Sequence, residues 1–71
     1  MPDRVYKIIE IVGTSEKSWE DAAVTAVTRA SKTLRDLRVA EVTEQDLVIR
    51  DGKIEGFRTK LKISFKFESD D

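Results

Sequence analysis

The sequence predicts an α+β domain with the order strand–helix–strand–strand, in which a three-stranded antiparallel sheet wraps around one helix. Three observations support this fold class. An alternating apolar and basic stretch lies near the C-terminus, an alanine-rich stretch has helical periodicity, and an Asp-Gly turn signal joins two strand-like segments. The chain has 71 residues, so we expect residues 1–71 to form a single domain.

The long strand predicted from Phe57 to Phe67 has two different faces. Side chains alternate between the faces of a strand, so its apolar residues share one face and its basic residues the other. The basic residues are Arg58, Lys60, Lys62 and Lys66. They suit either the phosphates of a nucleotide or RNA, or pairing with nearby acids. No aromatic residue interleaves with them and the net charge is −1, so we favour acid pairing and expect no nucleic-acid partner.

The first strand is predicted from Val5 to Gly13, where β-branched residues are frequent. Its apolar residues occupy both faces, and Lys7 and Glu10 interrupt them. This pattern predicts burial on both sides, either as the central strand of the sheet or inside an assembly.

The helix is predicted from Trp19 to about Leu37, with Ser18 as its N-cap. Apolar residues, many of them alanine, recur at steps of three and four, which favours close packing of the helix against the sheet. Trp19 lies on this apolar stripe, so we interpret it as a core or interface residue rather than a ligand platform.

The second strand is predicted from Val39 to Arg50, with a break in its alternation. Ala40 and Val42 have one parity, whereas Leu47 and Ile49 have the other, so we expect a bulge near Gln45-Asp46. The hairpin turn is expected at Asp51-Gly52.

Composition narrows the class of protein. The chain has no cysteine and no histidine, and it shows no nucleophile–base pair or phosphate loop, so we do not expect an enzyme. We expect no membrane partner, because no apolar run is long enough to span a bilayer. The absence of cysteine and of a signal-peptide pattern favours the cytoplasm.

The small size of the chain favours self-association. A single core in a chain of about 70–80 residues or fewer rarely supplies more than about 3–5 kcal/mol, and such domains usually need a further stabilising device. Disulfides and thiolate or imidazole metal sites are excluded here, because cysteine and histidine are absent. The sequence therefore predicts a homo-oligomer.

In the order and spacing of several short segments, the sequence resembles the dodecin family. The matching segments are Val5-Tyr6-Lys7, Glu10 to Ser15, the alanine-rich helix, Thr33-Leu34-Arg35, Glu41-Val42 and Ile63 to Glu68. The resemblance implies a dodecin-like subunit and a hollow shell of twelve copies. It also implies a role in storing or sequestering flavins, which typical dodecins stack between tryptophans.

The positions that match the family's flavin site are mostly altered in this sequence. The resemblance places them at Val39, Asp46, Arg58 and Lys66. Val39 stands where the family has its stacking tryptophan, Arg58 replaces a glutamine, Asp46 replaces an arginine, and Lys66 keeps a basic side chain. A valine offers no aromatic face, so a flavin (FMN or riboflavin) is not expected to bind in the usual way.

Glu44 and Asp46 are a candidate metal site. Carboxylate oxygens suit Ca²⁺, which takes about six to eight oxygen ligands, and symmetry could bring several copies of these residues together. Alternatively, these carboxylates pair with Arg58 or Lys60 on the neighbouring strand, and this is the interpretation we favour.

Two functional hypotheses follow from the sequence. The first is a dodecin-like homo-oligomer, expected to be a dodecamer, that stores or sequesters a small ligand. The second is a structural shell without flavin, stabilised by Ca²⁺ at its symmetry axes.

Overall fold

The computed structural model describes residues 5–66, which form one helix and three strands in the predicted order. The elements are β1 (Tyr6–Ser15), α1 (Trp19–Ala30), β2 (Leu37–Arg50) and β3 (Lys53–Lys66). The strands form one antiparallel sheet in the order β1-β3-β2. The α+β fold class predicted from the sequence is therefore confirmed. Phe67, the end of the third predicted strand, lies outside the described residues.

The central strand β3 supplies most of the core. Thr59, Leu61 and Ile63 alternate along it, and each is at most 2% exposed. Leu61 and Ile63 pack with Ala26 of α1, whereas Lys62 between them is exposed. The two-faced character of this strand is thus as predicted.

Helix α1 is shorter than the sequence predicted, because it ends at Ala30 and not near Leu37. The amide of Leu34 still donates to the carbonyl of Ala30 in the turn that follows. Asp36 then adopts a left-handed conformation with φ of 56°, which ends any helical continuation. Leu37 keeps the helical spacing but packs against the core as the first residue of β2.

Strand β1 lies at an edge of the sheet, so the prediction of a central strand is wrong. The β2–β3 hairpin occupies one side of β3, and β1 pairs with the side that remains. Tyr6, Ile8 and Val12 are 44%, 62% and 49% exposed in this chain. The alternative, that β1 is covered inside an assembly, stays a prediction.

Close packing of α1 on β1 depends on Gly13. A Cβ atom at this position would collide with the carbonyl group of Ala22 and would lie 2.9 Å from the Cβ of Ala26. Glycine therefore allows the helix backbone to approach the strand directly. The helix covers β1 and β3 and reaches β2 at few points.

The bulge predicted in β2 is present, but at a different residue. Val42 pairs with Leu61 and Glu44 pairs with Lys60, so Thr43 is the inserted residue. The sequence placed the bulge near Gln45-Asp46, because the apolar residues change parity on either side of that dipeptide. An insertion anywhere between Val42 and Leu47 produces the same pattern, so alternation alone does not locate it.

The hairpin turn lies at Asp51-Gly52, as predicted. Both residues have positive φ, 52° for Asp51 and 74° for Gly52, as expected for a two-residue turn of type I′. Arg50 and Lys53 pair directly across it. A register shift between Val48 and Ile49, with Glu55 as the inserted residue of β3, then brings Asp46 opposite Arg58.

Candidate functional site

The best-defined polar contact joins Asp46 of β2 to its register partner Arg58 of β3. The Nε and Nη2 groups of Arg58 each donate a hydrogen bond of 2.7 Å to a different carboxylate oxygen of Asp46. These hydrogen bonds hold the pKa of Asp46 below its usual value and raise the pKa of Arg58. Both side chains are more than a third exposed, so water screens the pair.

A second ion pair lies beside the first. The Nζ of Lys60 is 3.0 Å from a carboxylate oxygen of Glu44, and the two residues are register partners. The hydroxyl of Thr43 in the bulge donates to the carbonyl of Lys60 at 3.2 Å. The interpretation that Glu44 and Asp46 pair with basic residues of the next strand is therefore confirmed.

A third group of charged register partners extends across all three strands. Lys62 of β3 has Glu10 of β1 and Glu41 of β2 as its register partners. A recess of about 560 Å³ is lined by side chains of both signs, including Glu10, Glu44, Lys60 and Lys62. Sequence reasoning did not assign a role to Glu10 or Glu41, because their places beside Lys62 depend on the strand order.

The four positions that the resemblance assigns to a flavin site fall into two groups. Asp46 and Arg58 lie together, whereas Val39 pairs with Ser64, close to Lys66. Arg58 and Ser64 are six residues apart on one strand, which corresponds to about 20 Å. In one chain the two groups therefore lie at separate places along the β2–β3 hairpin.

The side chain of Val39 is 61% exposed and is aliphatic, as the sequence requires. Trp19 does not replace the missing aromatic platform. Its indole N–H donates to the carbonyl of Asp46 at 3.0 Å, and its ring meets Phe57 edge-on at a centroid distance of 5.2 Å. Trp19 is thus a half-buried residue that links α1 to both strands of the hairpin, as the core interpretation predicts.

The predicted metal site consists of Glu44 and Asp46, which each form an ion pair across the β2–β3 hairpin. Among residues 5–66, no group of three or more acidic side chains is placed to hold a metal ion. A site for Ca²⁺ in this region would therefore need oxygen ligands from more than one copy of the chain. The metal role of these two residues stays a prediction.

The sequence profile of the dodecin family matches residues 5–68, which include every strand and the helix described above. This chain belongs to the dodecin family. The resemblance seen in the sequence is therefore confirmed, and so is the dodecin fold.

Two characterised dodecins show how close the relationship is. Calcium dodecin of Mycobacterium tuberculosis is 54% identical over 63 residues, which cover 87% of each chain. The dodecin of Thermus thermophilus is 40% identical over 65 residues, covering 92% of this chain and 94% of that protein.

Solved dodecin structures have the same fold. The dodecin of Streptomyces coelicolor superposes with a TM-score of 0.90 at 40% identity, covering 99% of this chain and 100% of its own. The Mycobacterium tuberculosis calcium dodecin, described as calcium chelating with a novel calcium-binding site, gives a TM-score of 0.81 at 50% identity. That match covers 94% of this chain and 96% of the other.

Membership of the dodecin family makes this chain a small-ligand binding protein without enzymatic activity, as the sequence predicted. Within residues 5–66, no helix has the length and apolar character that a membrane span requires.

Proposed function

We propose that this chain assembles into a homododecameric shell of the dodecin type and binds Ca²⁺ rather than a stacked flavin. The observation that carries the proposal is the similarity to calcium dodecin, 54% identical over 87% of the chain. The geometry of the sheet supports both parts of it, assembly and ligand.

Assembly is supported by the small core and the extended shape. The buried hydrophobic residues in the described part of the chain are Ala22, Ala26, Leu61 and Ile63. Ten large apolar side chains of the described residues are more than a third exposed. The radius of gyration is 14.8 Å, whereas a compact domain of this length has about 11 Å. Association with further copies would cover apolar surface that one chain leaves in water.

Val39 supports the part of the proposal that excludes a stacked flavin. An isoalloxazine ring needs a flat aromatic partner, and Val39 presents an exposed aliphatic side chain where the family places that partner. The nearby indole of Trp19 is engaged with Asp46 and Phe57. A flavin bound in some other way is therefore an outcome of the test and not part of the proposal.

Ca²⁺ is supported by the carboxylates of the hairpin. The side chains of Glu44 and Asp46 are 64% and 38% exposed, so their oxygens are accessible although each carboxylate faces a basic residue. A carboxylate that accepts from Arg58 keeps lone pairs for a second partner. Copies related by symmetry would supply the further oxygen ligands that a single chain lacks.

The test is a calorimetric titration of Ca²⁺ into protein that was first treated with a chelator. We expect saturable binding and a higher thermal midpoint with Ca²⁺, and we expect Glu44→Gln and Asp46→Asn to weaken both. Glu55→Gln is the matched control, because Glu55 is also a carboxylate paired with an arginine, at 3.4 Å from Arg50. A parallel riboflavin titration should show little quenching of flavin fluorescence.

Absence of saturable Ca²⁺ binding would contradict the Ca²⁺ part of the proposal. Tight riboflavin binding with full quenching would show that the flavin function of the family is retained despite Val39. Unchanged Ca²⁺ binding in both Glu44→Gln and Asp46→Asn would show that the site is not at Glu44 and Asp46.

A further inference from the structure

Trp19, the first residue of α1, contacts both strands of the β2–β3 hairpin. Its indole N–H donates to the backbone carbonyl of Asp46 at 3.0 Å. Its own carbonyl accepts a hydrogen bond of 2.8 Å from the hydroxyl of Thr59, which is completely buried. Its ring meets that of Phe57 edge-on. Trp19 therefore contacts the residues on each side of Arg58 in β3 and also the register partner of Arg58 in β2.

Asp46 lies in a part of β2 where the regular ladder is interrupted on both sides. In the described sheet β2 is an edge strand, so its backbone pairs with β3 alone. The register shifts at residues 42–44 and again at residues 48–49. Each such irregularity disrupts the ladder of hydrogen bonds locally. The regular ladder around Asp46 is thus short, and the indole of Trp19 provides a hydrogen bond to it from outside the sheet.

The geometry of the ion pair depends on where the backbone of Asp46 lies. Arg58 donates hydrogen bonds of 2.7 Å to the two different carboxylate oxygens of Asp46. A bidentate contact of this kind requires the guanidinium and the carboxylate to match in both distance and orientation. An aspartate side chain has only two torsions, so a shift of its backbone displaces the carboxylate with it. A hydrogen bond to the backbone can therefore control the pair.

We infer that Trp19 is a positioning residue for the Asp46–Arg58 pair and, through that pair, for the Ca²⁺ of the proposed function. The second part rests on the proposed function, whereas the first part requires no ligand. The indole does not need to touch the cation. By holding the backbone of Asp46, it keeps the half-exposed carboxylate in the one orientation that Arg58 recognises. Groups that orient metal ligands in this way typically change metal affinity about tenfold to a hundredfold when they are replaced.

The alternative is that Trp19 only fills space between the helix and the hairpin. Trp19 would then contribute to the stability of the fold but not to the coupling of Asp46 with Arg58. The measurement is the change in thermal midpoint for Asp46→Ala, Arg58→Ala and the double variant, with a chelator present. The same set is measured again in a Trp19→Phe background, which keeps a ring near Phe57 and removes the N–H donor.

Two further backgrounds separate the lost hydrogen bond from a general loss of stability. Ile63→Val is the matched control, because Ile63 is a buried core residue whose register partner in β2 is Ala40 and not Asp46. The second background is a chemically synthesised chain in which benzothienylalanine replaces Trp19, the only tryptophan. Its ring has nearly the shape of an indole, but sulfur takes the place of the N–H group.

We expect the coupling of Asp46 with Arg58 to fall by about half or more in Trp19→Phe and in the benzothienylalanine chain, and to stay unchanged in Ile63→Val. Undiminished coupling in the benzothienylalanine chain would overturn the inference, whatever Trp19→Phe shows. An equal fall in Ile63→Val would also overturn it, because the cause would be general destabilisation. Absence of coupling in the unmodified background would do so too, because there would be no pair to position.

Calorimetric titration of Ca²⁺ tests the second part. Trp19→Phe and the benzothienylalanine chain should bind Ca²⁺ about tenfold more weakly, and Ile63→Val should bind it as the unmodified protein does. Unchanged Ca²⁺ affinity in the benzothienylalanine chain would overturn the extension to the cation. If the unmodified protein itself binds no Ca²⁺, the proposed function fails, and the coupling alone decides whether Trp19 positions the ion pair.

Discussion

The carboxylate of Asp46 accepts two hydrogen bonds of 2.7 Å from the guanidinium of Arg58. The backbone carbonyl of the same aspartate accepts from the indole of Trp19 at 3.0 Å. One residue of β2 is thereby joined to β3 through its side chain and to the first turn of α1 through its backbone. The resemblance to dodecins places a flavin-binding group at this position. In this chain, Asp46 connects the hairpin to the helix.

The first prediction concerns the coupling of Asp46 and Arg58. We expect Asp46→Ala and Arg58→Ala each to lower the thermal midpoint, because each leaves an unpaired charge on the sheet. The double variant should lower the thermal midpoint by less than the sum of the two single decreases. Differential scanning calorimetry on the unmodified protein and the three variants measures this coupling. Strictly additive losses would show that the two residues do not stabilise each other.

The second prediction concerns how the stabilising contribution of Asp46 changes at acid pH. The pKa of Asp46 is lowered below its usual value of 3.8 by the hydrogen bonds from Arg58. Its contribution to stability is therefore fully present above that pH and is lost as the pH falls through the lower pKa of the folded state. The difference in thermal midpoint between the unmodified protein and Asp46→Asn should be constant from about pH 5 to 7 and shrink below about pH 3.8. A difference that persists unchanged at pH 2 would contradict this.

The third prediction concerns the close contact of α1 with β1. Gly13→Ala should destabilise the protein by about 1–3 kcal/mol, because the added methyl group meets the backbone of Ala22 and the side chain of Ala26. Gly56→Ala is the control, since the nearest atom to its Cβ is the carbonyl oxygen of Ser15 at 3.3 Å. Urea unfolding should show a larger loss of unfolding free energy for Gly13→Ala than for Gly56→Ala. An equal loss in both variants would mean that the helix contact does not cause the destabilisation.

The fourth prediction concerns the flavin platform. Val39→Trp should tighten riboflavin binding by roughly twofold to tenfold, which corresponds to the stacking contribution of about 0.5–1.5 kcal/mol. Val24→Trp adds an exposed tryptophan on the helix and should leave the affinity unchanged. The measurement is quenching of riboflavin fluorescence. No gain in Val39→Trp would show that more than the missing ring prevents stacking, with Arg58 as the next group to replace.

The sequence predicted that three strands exist and where the turn lies, because these signals are local, although β3 begins at Lys53 and not at Phe57. Alternation from Phe57 onward marks the two faces of β3, and Asp51-Gly52 marks the turn. The predicted end of the helix was wrong, because Leu34 and Leu37 continue the helical periodicity of the apolar residues. In the structure, the helix ends at Ala30. Nothing in a pattern of apolar residues shows whether a leucine reaches the core from a helix or from a strand.

The candidate site was predictable where it depends on the hairpin alone. Once β2 and β3 are joined at Asp51-Gly52, acidic residues near Asp46 must approach basic residues near Arg58, and the structure pairs these two. The placement of Glu10 beside Lys62 was not predictable, because it requires β1 to pair with β3 in one particular register. Contacts between copies depend on surfaces that sequence periodicity does not describe.

The most direct test of the account is the mass of the unmodified protein in neutral buffer with Ca²⁺, measured by light scattering at micromolar concentration. Because the core of one chain is small and ten large apolar side chains of its described residues are exposed, we expect a mass near twelve copies of the 8.1 kDa chain, about 97 kDa. A folded, stable species of 8.1 kDa would contradict the account.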